Sequence, residues 1–262
     1  MKKTVLITLA LLIACAFSVQ AMDFGLEYHS TYYWRGVSFY GDYNGEDSSP
    51  RGVFFPWVGT SVGDFYFTLA GEIPASLPGD GMTELEEDWL GVDFIASWSM
   101  QLGGGAYTLG TRAAYFMYPN QWGDDWSKKT ADFAEARLTF SMNEVPLSPT
   151  LLVSWYYRFG SNIATQAEDL YIELSAGESI ALNDNASLNI GGSVSSFNYP
   201  SAGFEDWFIV NDIKLSAGIS TTSDGGVTFS GQYSFGVTIP DELVDWTGRF
   251  NHWASFSVSY SL

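Results

Sequence analysis

The chain has 262 residues, with 11 basic side chains against 30 acidic ones, a formal net charge of −19 and one cysteine. Nucleic-acid binding is disfavoured because it needs a basic surface, and a single cysteine forms no intrachain disulfide. Aromatic residues make up 17% of the chain, a share typical of proteins with aromatic belts at membrane interfaces.

The N-terminus predicts a cleavable signal peptide over residues 1–21. Lys2 and Lys3 form its positive end, residues 4–17 its apolar centre, and Val19-Gln20-Ala21 a small-residue cleavage site. The apolar run of about 14 residues is shorter than the roughly 20 that a membrane-spanning helix needs. We therefore expect export of residues 22–262, and we expect no membrane-spanning helix in them.

A second interpretation of the same segment concerns Cys15. Leu12-Ile13-Ala14-Cys15 resembles the box at which lipoproteins are cut and acylated, which would make Cys15 a lipidated first residue. We favour the simpler interpretation, an ordinary apolar residue within the signal, because a barrel needs no lipid anchor to stay in its membrane. Cleavage after Ala21 then leaves no cysteine in the exported chain.

Residues 22–262 predict one all-β domain of twelve strand segments. Apolar and polar residues alternate along them with a period of two, which is typical of strands between lipid and a polar interior. The last segment is the clearest, since every second residue from Ser255 to Ser261 is serine and the residues between them are Phe256, Val258 and Tyr260. It ends at Leu262, whereas the terminal strand read by the barrel-assembly machinery usually ends in Phe.

The connections between these segments alternate in length. Five are tight, at residues 62–64, 103–105, 143–149, 183–185 and 222–226. Six are longer and more polar, near residues 40–50, 74–87, 119–129, 160–167, 200–206 and 239–249. This pattern predicts a transmembrane antiparallel up-and-down β-barrel of the bacterial cell outer membrane, with short periplasmic turns and longer extracellular loops. An even strand number places both chain ends on the periplasmic side.

One motif resembles a known family. The stretch Tyr32-Tyr33-Trp34-Arg35-Gly36-Val37-Ser38 is similar to the aromatic-x-Arg-Gly-Val-Ser pattern near the start of TorF-type porins, a family of bacterial outer-membrane proteins. The resemblance implies an outer-membrane barrel of the porin kind, and it brings no catalytic residues. The expected partners are accordingly outer-membrane lipid, the barrel-assembly machinery during biogenesis and small solutes, with no nucleic acid and no cofactor.

Alternation also predicts which charged residues line the interior. The candidates are Glu27, Arg35, Asp93, Arg112, Glu135, Arg137, Arg158, Asp169, Glu173, Asp212 and Lys214. Six acids stand against five bases, so we expect an almost neutral wall and an acidic excess located mainly in the loops. If the turn of the hairpin is centred near Pro146, Glu135 lies opposite Arg158 on the neighbouring strand. Such pairs either pack the interior or form a narrow path that selects solutes.

Two further chemistries are weaker. The acidic run Glu84, Glu86, Glu87 and Asp88 has oxygen ligands suited to Ca²⁺ or Mg²⁺, but it lacks a calcium-loop pattern, and we favour solvated outer charge. Hydrolysis needs a base beside a nucleophile, and only His29 and His252 exist. Their parities predict opposite faces of the wall, so we expect no enzyme.

The sequence thus favours a channel for passive diffusion of small hydrophilic solutes, weakly cation-preferring because its outer loops are acidic. The alternative is a closed structural or recognition barrel whose outer loops bind a ligand or a surface partner. Those loops are acidic and carry tryptophans at or near their tips, namely Trp122, Trp126, Trp207 and Trp246.

Overall fold

The structure of the chain is a computed structural model. It describes residues 22–30, 32–34, 37–39, 52–75, 91–118, 132–158, 168–198, 207–241, 244 and 249–261, with the backbone alone at 32–34, 37–39, 74–75, 158, 168 and 207–209. The predicted signal peptide and Cys15 lie outside this part of the chain. No helix among the described residues has the length and apolar character to cross a membrane.

Fourteen strands are described in chain order. They are β1 (Met22–His29), β2 (Tyr32–Trp34), β3 (Val37–Phe39), β4 (Gly52–Val62), β5 (Phe65–Ala75), β6 (Gly91–Leu102), β7 (Tyr107–Met117), β8 (Phe133–Met142), β9 (Thr150–Arg158), β10 (Glu168–Asn183), β11 (Ala186–Asn198), β12 (Trp207–Thr222), β13 (Val227–Thr238) and β14 (Phe250–Ser261).

Twelve of these strands, β1 and β4 to β14, form one closed antiparallel barrel in which each strand pairs with the next along the chain. The barrel closes where β1 pairs with β14, for example Leu26 with Val258. Closure leaves no barrel strand with an unpaired edge. The predicted architecture and strand number are confirmed.

The predicted alternation of connections is confirmed as well. The five tight turns lie where the sequence places them, and glycines with positive φ occupy three of them, for example Gly63 (φ 60°), Gly104 (φ 71°) and Gly226 (φ 81°). Both ends of the described chain lie on the side of these turns, since Met22 pairs with Thr60 and Asp23 with Ser261. The strand ends that border the long connections all lie on the other side.

Side chains are sorted by face as the period of two requires. Large apolar residues project outward and remain exposed, among them Leu215 at 60%, Phe256 at 58% and Leu174 at 53%. Their neighbours in sequence project inward, and many of these are Ser, Thr or charged residues. An apolar outside around a polar inside is the arrangement of a barrel surrounded by lipid.

The start of the first predicted strand is correct, but its continuation through Trp34 is wrong. β1 ends at His29, and β2 and β3 pair with each other as a separate two-stranded sheet, with Trp34 opposite Val37 and Ser38 opposite Tyr33. Two residues, one of them Gly36, separate these short strands, and such a loop favours a tight local hairpin over continued pairing in the barrel. Arg35 and Gly36 lie outside the described residues.

Candidate functional site in the barrel interior

The pairing register assigns each described residue to the inner or the outer face. The acids at inner positions are Asp23, Glu27, Glu72, Asp93, Glu135, Asp169, Glu173 and Asp212. The bases at inner positions are Arg112, Arg137, Arg158 and Lys214. Among the described residues the wall is therefore acidic, whereas the sequence indicated an almost neutral one.

Two neighbouring arginines share one carboxylate in what we call the arginine cluster, formed by Arg112, Glu135, Arg137, Ser154 and Tyr156. Arg137 donates from Nη2 and Nε to Glu135 Oε1 at 2.8 and 3.0 Å, and Arg112 Nε lies 3.4 Å from Glu135 Oε2. Ser154 and Tyr156 also donate to Glu135 Oε1, each at 2.8 Å. A carboxylate with this many donors is fixed in one orientation.

The predicted pairing of Glu135 with Arg158 is wrong. Glu135 lies opposite Tyr156, and Arg158 lies opposite Phe133. The cause is a hairpin centre displaced by one residue, because Met142 N donates to Pro149 O at 3.0 Å and so places the centre between residues 145 and 146. A one-residue displacement of the centre moves the facing partner by two residues, which keeps the face but changes the neighbour.

A second buried carboxylate, Glu72, is reached from two strands away. Tyr118 donates from its hydroxyl to Glu72 Oε2 at 3.0 Å, and the two side chains are 5% and 1% exposed. The side chains cross over Gly91, where an added Cβ would lie 3.1 Å from atoms of both. A side chain at this position of β6 would therefore make these two neighbours shift by a few tenths of an ångström. Asp93 on the same strand is buried and interacts electrostatically with Glu72 and Arg112.

Aromatic rings fill the space beside the arginine cluster. Phe116 and Phe133 stack with centroids 4.4 Å apart, and Phe133 meets Tyr156 edge-on at 6.1 Å. The Arg112 guanidinium lies 5.9 Å from the Phe116 ring centroid, within cation–π range. These rings limit how far the charged groups can move into the lumen.

A second charged group on β10 to β12 forms the lysine cluster, made of Tyr171, Glu173, Ser193, Asp212 and Lys214. Lys214 Nζ donates to Glu173 Oε2 at 2.7 Å and lies 3.8 Å from Asp212 Oδ2. Tyr171 and Ser193 also donate to Glu173 Oε2, at 2.6 and 3.3 Å. Lys214 reaches Glu173 across the intervening β11, where Ser193 is small enough to be bridged.

Asp212 is held from its other side by neighbours outside that set. Ser195 donates to Asp212 Oδ1, and Asn211 Nδ2 lies 3.4 Å from the same atom. Ser195 and Asp212 are 2% and 0% exposed. Tyr171 and Phe197 pack edge-on with centroids 5.6 Å apart, so buried rings accompany this cluster too.

Two smaller contacts complete the charged interior. On β1, His29 Nε2 lies 2.7 Å from Glu27 Oε1, and the His29 ring meets the Phe55 ring edge-on. Near the short turns, Tyr66 donates to Asp23 Oδ2 at 2.9 Å. His252 lies on the outer face with its ring 6.1 Å from that of Tyr233, so the two histidines are on opposite faces, as their parities predict.

The inner wall differs between its two ends. We call the part at or beyond the strand midpoints toward the long connections the long-connection half, and the rest the short-turn half. Many inner residues of the long-connection half are buried, among them Val53, Tyr171 and Phe197 at 0–2% exposure. Inner residues of the short-turn half are mostly Ser, Thr and Gly, as on β12, where Ser216, Gly218 and Ser220 follow in turn.

The structure thus groups several predicted residues and leaves others apart. Arg112, Glu135, Arg137, Glu173, Asp212 and Lys214 fall into two clusters, Asp93 adjoins the first, and Asp169 is buried on the inner face. Arg35 and the acidic run at 84–88 lie outside the described residues, in which no group of three or more His, Cys, Asp or Glu is arranged to hold a metal. The sequence reasoning missed Glu72, Asp23 and Tyr118, although the period of two along β5 would have placed Glu72 inside.

No protein-family model and no curated protein sequence matches the chain, so the resemblance at residues 32–38 stays a prediction. Solved structures do match. The NanC porin superposes with a TM-score of 0.52 at 9% identity, over 92% of this chain and 100% of that one. An outer membrane channel from Pseudomonas putida F1 gives 0.51 at 10% identity, over 92% and 95%. The chain therefore has the closed-barrel fold found in outer-membrane channels.

Proposed function

We propose that the chain is a porin-like channel of the bacterial outer membrane, through which small hydrophilic solutes diffuse passively. The observation that carries the proposal is the sorting of side chains by face. Large apolar residues cover the outside of a closed barrel, and hydroxyl-bearing and charged residues line its inside. Such a wall offers lipid an apolar surface and offers solutes a polar one.

The test is single-channel recording in a planar bilayer with residues 22–262 refolded in detergent. We expect steady ohmic current steps once the protein inserts. A protein that inserts fully but passes no current would exclude the channel. Insertion is checked separately by protection of the strands from added protease, so that silence and failure to insert are distinguished.

We also propose a weak preference for cations over anions. Acids outnumber bases at the inner positions of the described residues, and the whole chain carries a net charge of −19. A negative potential along a confined path raises the local concentration of cations. A reversal potential measured across a KCl gradient should lie toward the value for potassium, and a clear anion preference would contradict the proposal.

One pair of variants tests the origin of this preference. Glu27 lies on the inner face and its side chain is 40% exposed, so Glu27→Gln should reduce the cation preference. Glu178 lies on the outer face of β10, opposite the outward-facing Ile190. Glu178→Gln removes the same charge from the outside of the wall and should leave the reversal potential unchanged.

The second candidate is a closed barrel with a structural or recognition role. It is favoured by the dense filling of the long-connection half, where Val53 and Phe197 are fully buried. A barrel of twelve strands lies between filled eight-stranded barrels and open porins, so side chains decide whether it conducts. Full insertion without current in the bilayer experiment is the result that this candidate predicts.

A further inference from the structure

Arg112 and Arg137 are direct register partners on neighbouring strands, and both lie on the inner face. Like charges directly opposite each other destabilise a strand pair. Here Glu135 offsets the repulsion by accepting from Arg137 at 2.8 Å and lying 3.4 Å from Arg112. Two guanidinium groups are thereby held side by side on the wall.

The carboxylates and the cations of these clusters differ in exposure. The Glu135 side chain is 1% exposed, whereas those of Arg112 and Arg137 are 25% and 23% exposed. In the lysine cluster, Lys214 is 23% exposed, against 0% for Asp212 and 17% for Glu173. Glu135 and Asp212 therefore lie against the wall, and the cations beside them lie closer to the lumen.

The two clusters adjoin where β9 pairs with β10. Arg137 Nε lies 3.3 Å from Ser154 Oγ, and Ser154 is the register partner of Tyr171 on β10. The Tyr171 hydroxyl in turn lies 3.4 Å from Lys214 Nζ. Arg112, Arg137 and Lys214 thus lie along one stretch of the inner wall from β7 to β12, which we call the basic row.

We propose that the basic row, through Arg112, Arg137 and Lys214, is a contact site for the anionic oxygen group of a solute, a carboxylate or a phosphate. The proposal rests on the channel function proposed above. Guanidinium groups suit such ligands because their planar N–H donors match the two oxygens of a carboxylate or phosphate. Ser154 and Tyr171 are buried and donate to Glu135 and Glu173, so the groups left to contact a solute are the three cations.

Binding at this site is weak, because the same cations already neutralise Glu135, Glu173 and Asp212. Weak binding is what conduction requires, since a solute must also leave the site. The site is compatible with a preference for small cations. That preference depends on the summed charge of the wall and loops, whereas the contact site acts over hydrogen-bond distance on a solute that has entered.

The experiment compares solutes that differ in one charged group. Glucose, glucuronate and glucose 6-phosphate are added to a conducting channel in a planar bilayer, and the concentration that halves the current is measured. We expect glucuronate or glucose 6-phosphate to act at about tenfold lower concentration than glucose, the effect of roughly one net hydrogen bond to a charged group. Equal concentrations for all three solutes would overturn the proposal.

Variants locate the site. The double variant Arg112→Gln/Arg137→Gln and the single variant Lys214→Gln should each bring the charged sugars closer to glucose. Arg249→Gln is the matched control, since Arg249 pairs with the exposed Asp241 beside the long connection after β13, and it should keep the full difference. Retention of the full difference in both lumen variants would overturn the proposal.

Loss of arginine beside buried Glu135 can also impair folding. Arg112→Lys/Arg137→Lys keeps both charges and removes the planar donors, and it should reduce the difference without abolishing it. If this variant discriminates as well as the original chain, the planar contact is excluded. The failures are distinguishable: a chain without current excludes the channel and the site together, whereas a conducting chain that treats all three sugars alike excludes the site alone.

Discussion

The two halves of the barrel interior are built from different side chains on the same twelve strands. In the long-connection half, aromatic rings, carboxylates and arginines pack together, and Glu72, Tyr171 and Phe197 are at most 2% exposed. In the short-turn half, most inner side chains are short, and many carry hydroxyl groups. Ser187 and Ser220 are examples, and their Oγ atoms hydrogen-bond to each other at 2.8 Å.

Because of this difference, the stability of the barrel and the contact of its interior with water depend on different halves. The number of strands fixes the diameter of the backbone cylinder, so side-chain volume decides how much of it stays open. Buried ion pairs and rings make the long-connection half the place where substitutions affect stability, because a buried group that loses its partner keeps its desolvation penalty. The short-turn half stays in contact with water and tolerates change.

The largest effect is expected for Glu135→Gln. The change leaves Arg112 and Arg137 opposite each other without the carboxylate that both contact. Removing one partner of a buried ion pair costs about 3–5 kcal/mol, and urea unfolding in detergent, followed by tryptophan fluorescence, measures it. The control is Glu144→Gln at the exposed short turn, which should stay within about 0.5 kcal/mol of the original chain. Equal losses for the two variants would contradict the division into halves.

The next effect is expected for Phe197→Ala. Phe197 is 0% exposed and packs on Tyr171, so the change opens a cavity and should cost about 3 kcal/mol, near the lower end for such truncations because water can enter a polar lumen. The single-channel conductance should rise. Phe229→Ala is the control, because Phe229 is 53% exposed on the outer face of the short-turn half. The conductance of this control should not change. A rise in the conductance of Phe229→Ala as well would mean that the long-connection half does not limit the current.

The strand number, the five tight turns and the faces of the charged residues could be predicted from the sequence. Each depends on local information: a period of two, a glycine at a turn, a short polar connection. The faces of Arg112, Glu135 and Lys214 follow from parity alone, and the pairing register confirms them.

The partners of those residues could not be predicted, because they depend on register between strands. The sequence predicts a hairpin centre that is wrong by one residue and therefore pairs Glu135 with Arg158, whereas Glu135 contacts Arg112 and Arg137. The reach from Lys214 to Glu173 joins strands that are not neighbours. Parity does not reveal such contacts. It assigns a side chain to a face, but it does not show whether a long side chain can reach over a small residue on the intervening strand.

A smaller effect is expected from one substitution made in both halves, Tyr118→Phe and Tyr66→Phe. Each removes a hydroxyl that donates to a carboxylate two strands away, Glu72 and Asp23 respectively. Glu72 is 1% exposed, so loss of this buried donor should cost about 2 kcal/mol, whereas water can replace the partner of the half-buried Asp23 at less than about 1 kcal/mol. Urea unfolding of both variants gives the difference directly. A larger loss of unfolding free energy for Tyr66→Phe would contradict the assignment of the buried carboxylates to the long-connection half.

The smallest effect is expected for Ser220→Ala in the short-turn half. Ser220 shares hydrogen bonds with Ser187 at 2.8 Å and Asn189 at 3.3 Å, and water in the lumen can replace both, so the loss should stay below about 0.5 kcal/mol. Ser195→Ala is the same change in the long-connection half, where it removes a donor from fully buried Asp212. This loss should reach about 1–3 kcal/mol. The two variants remove the same atom. A loss for Ser220→Ala as large as that for Ser195→Ala would therefore mean that water does not reach the inner wall of the short-turn half.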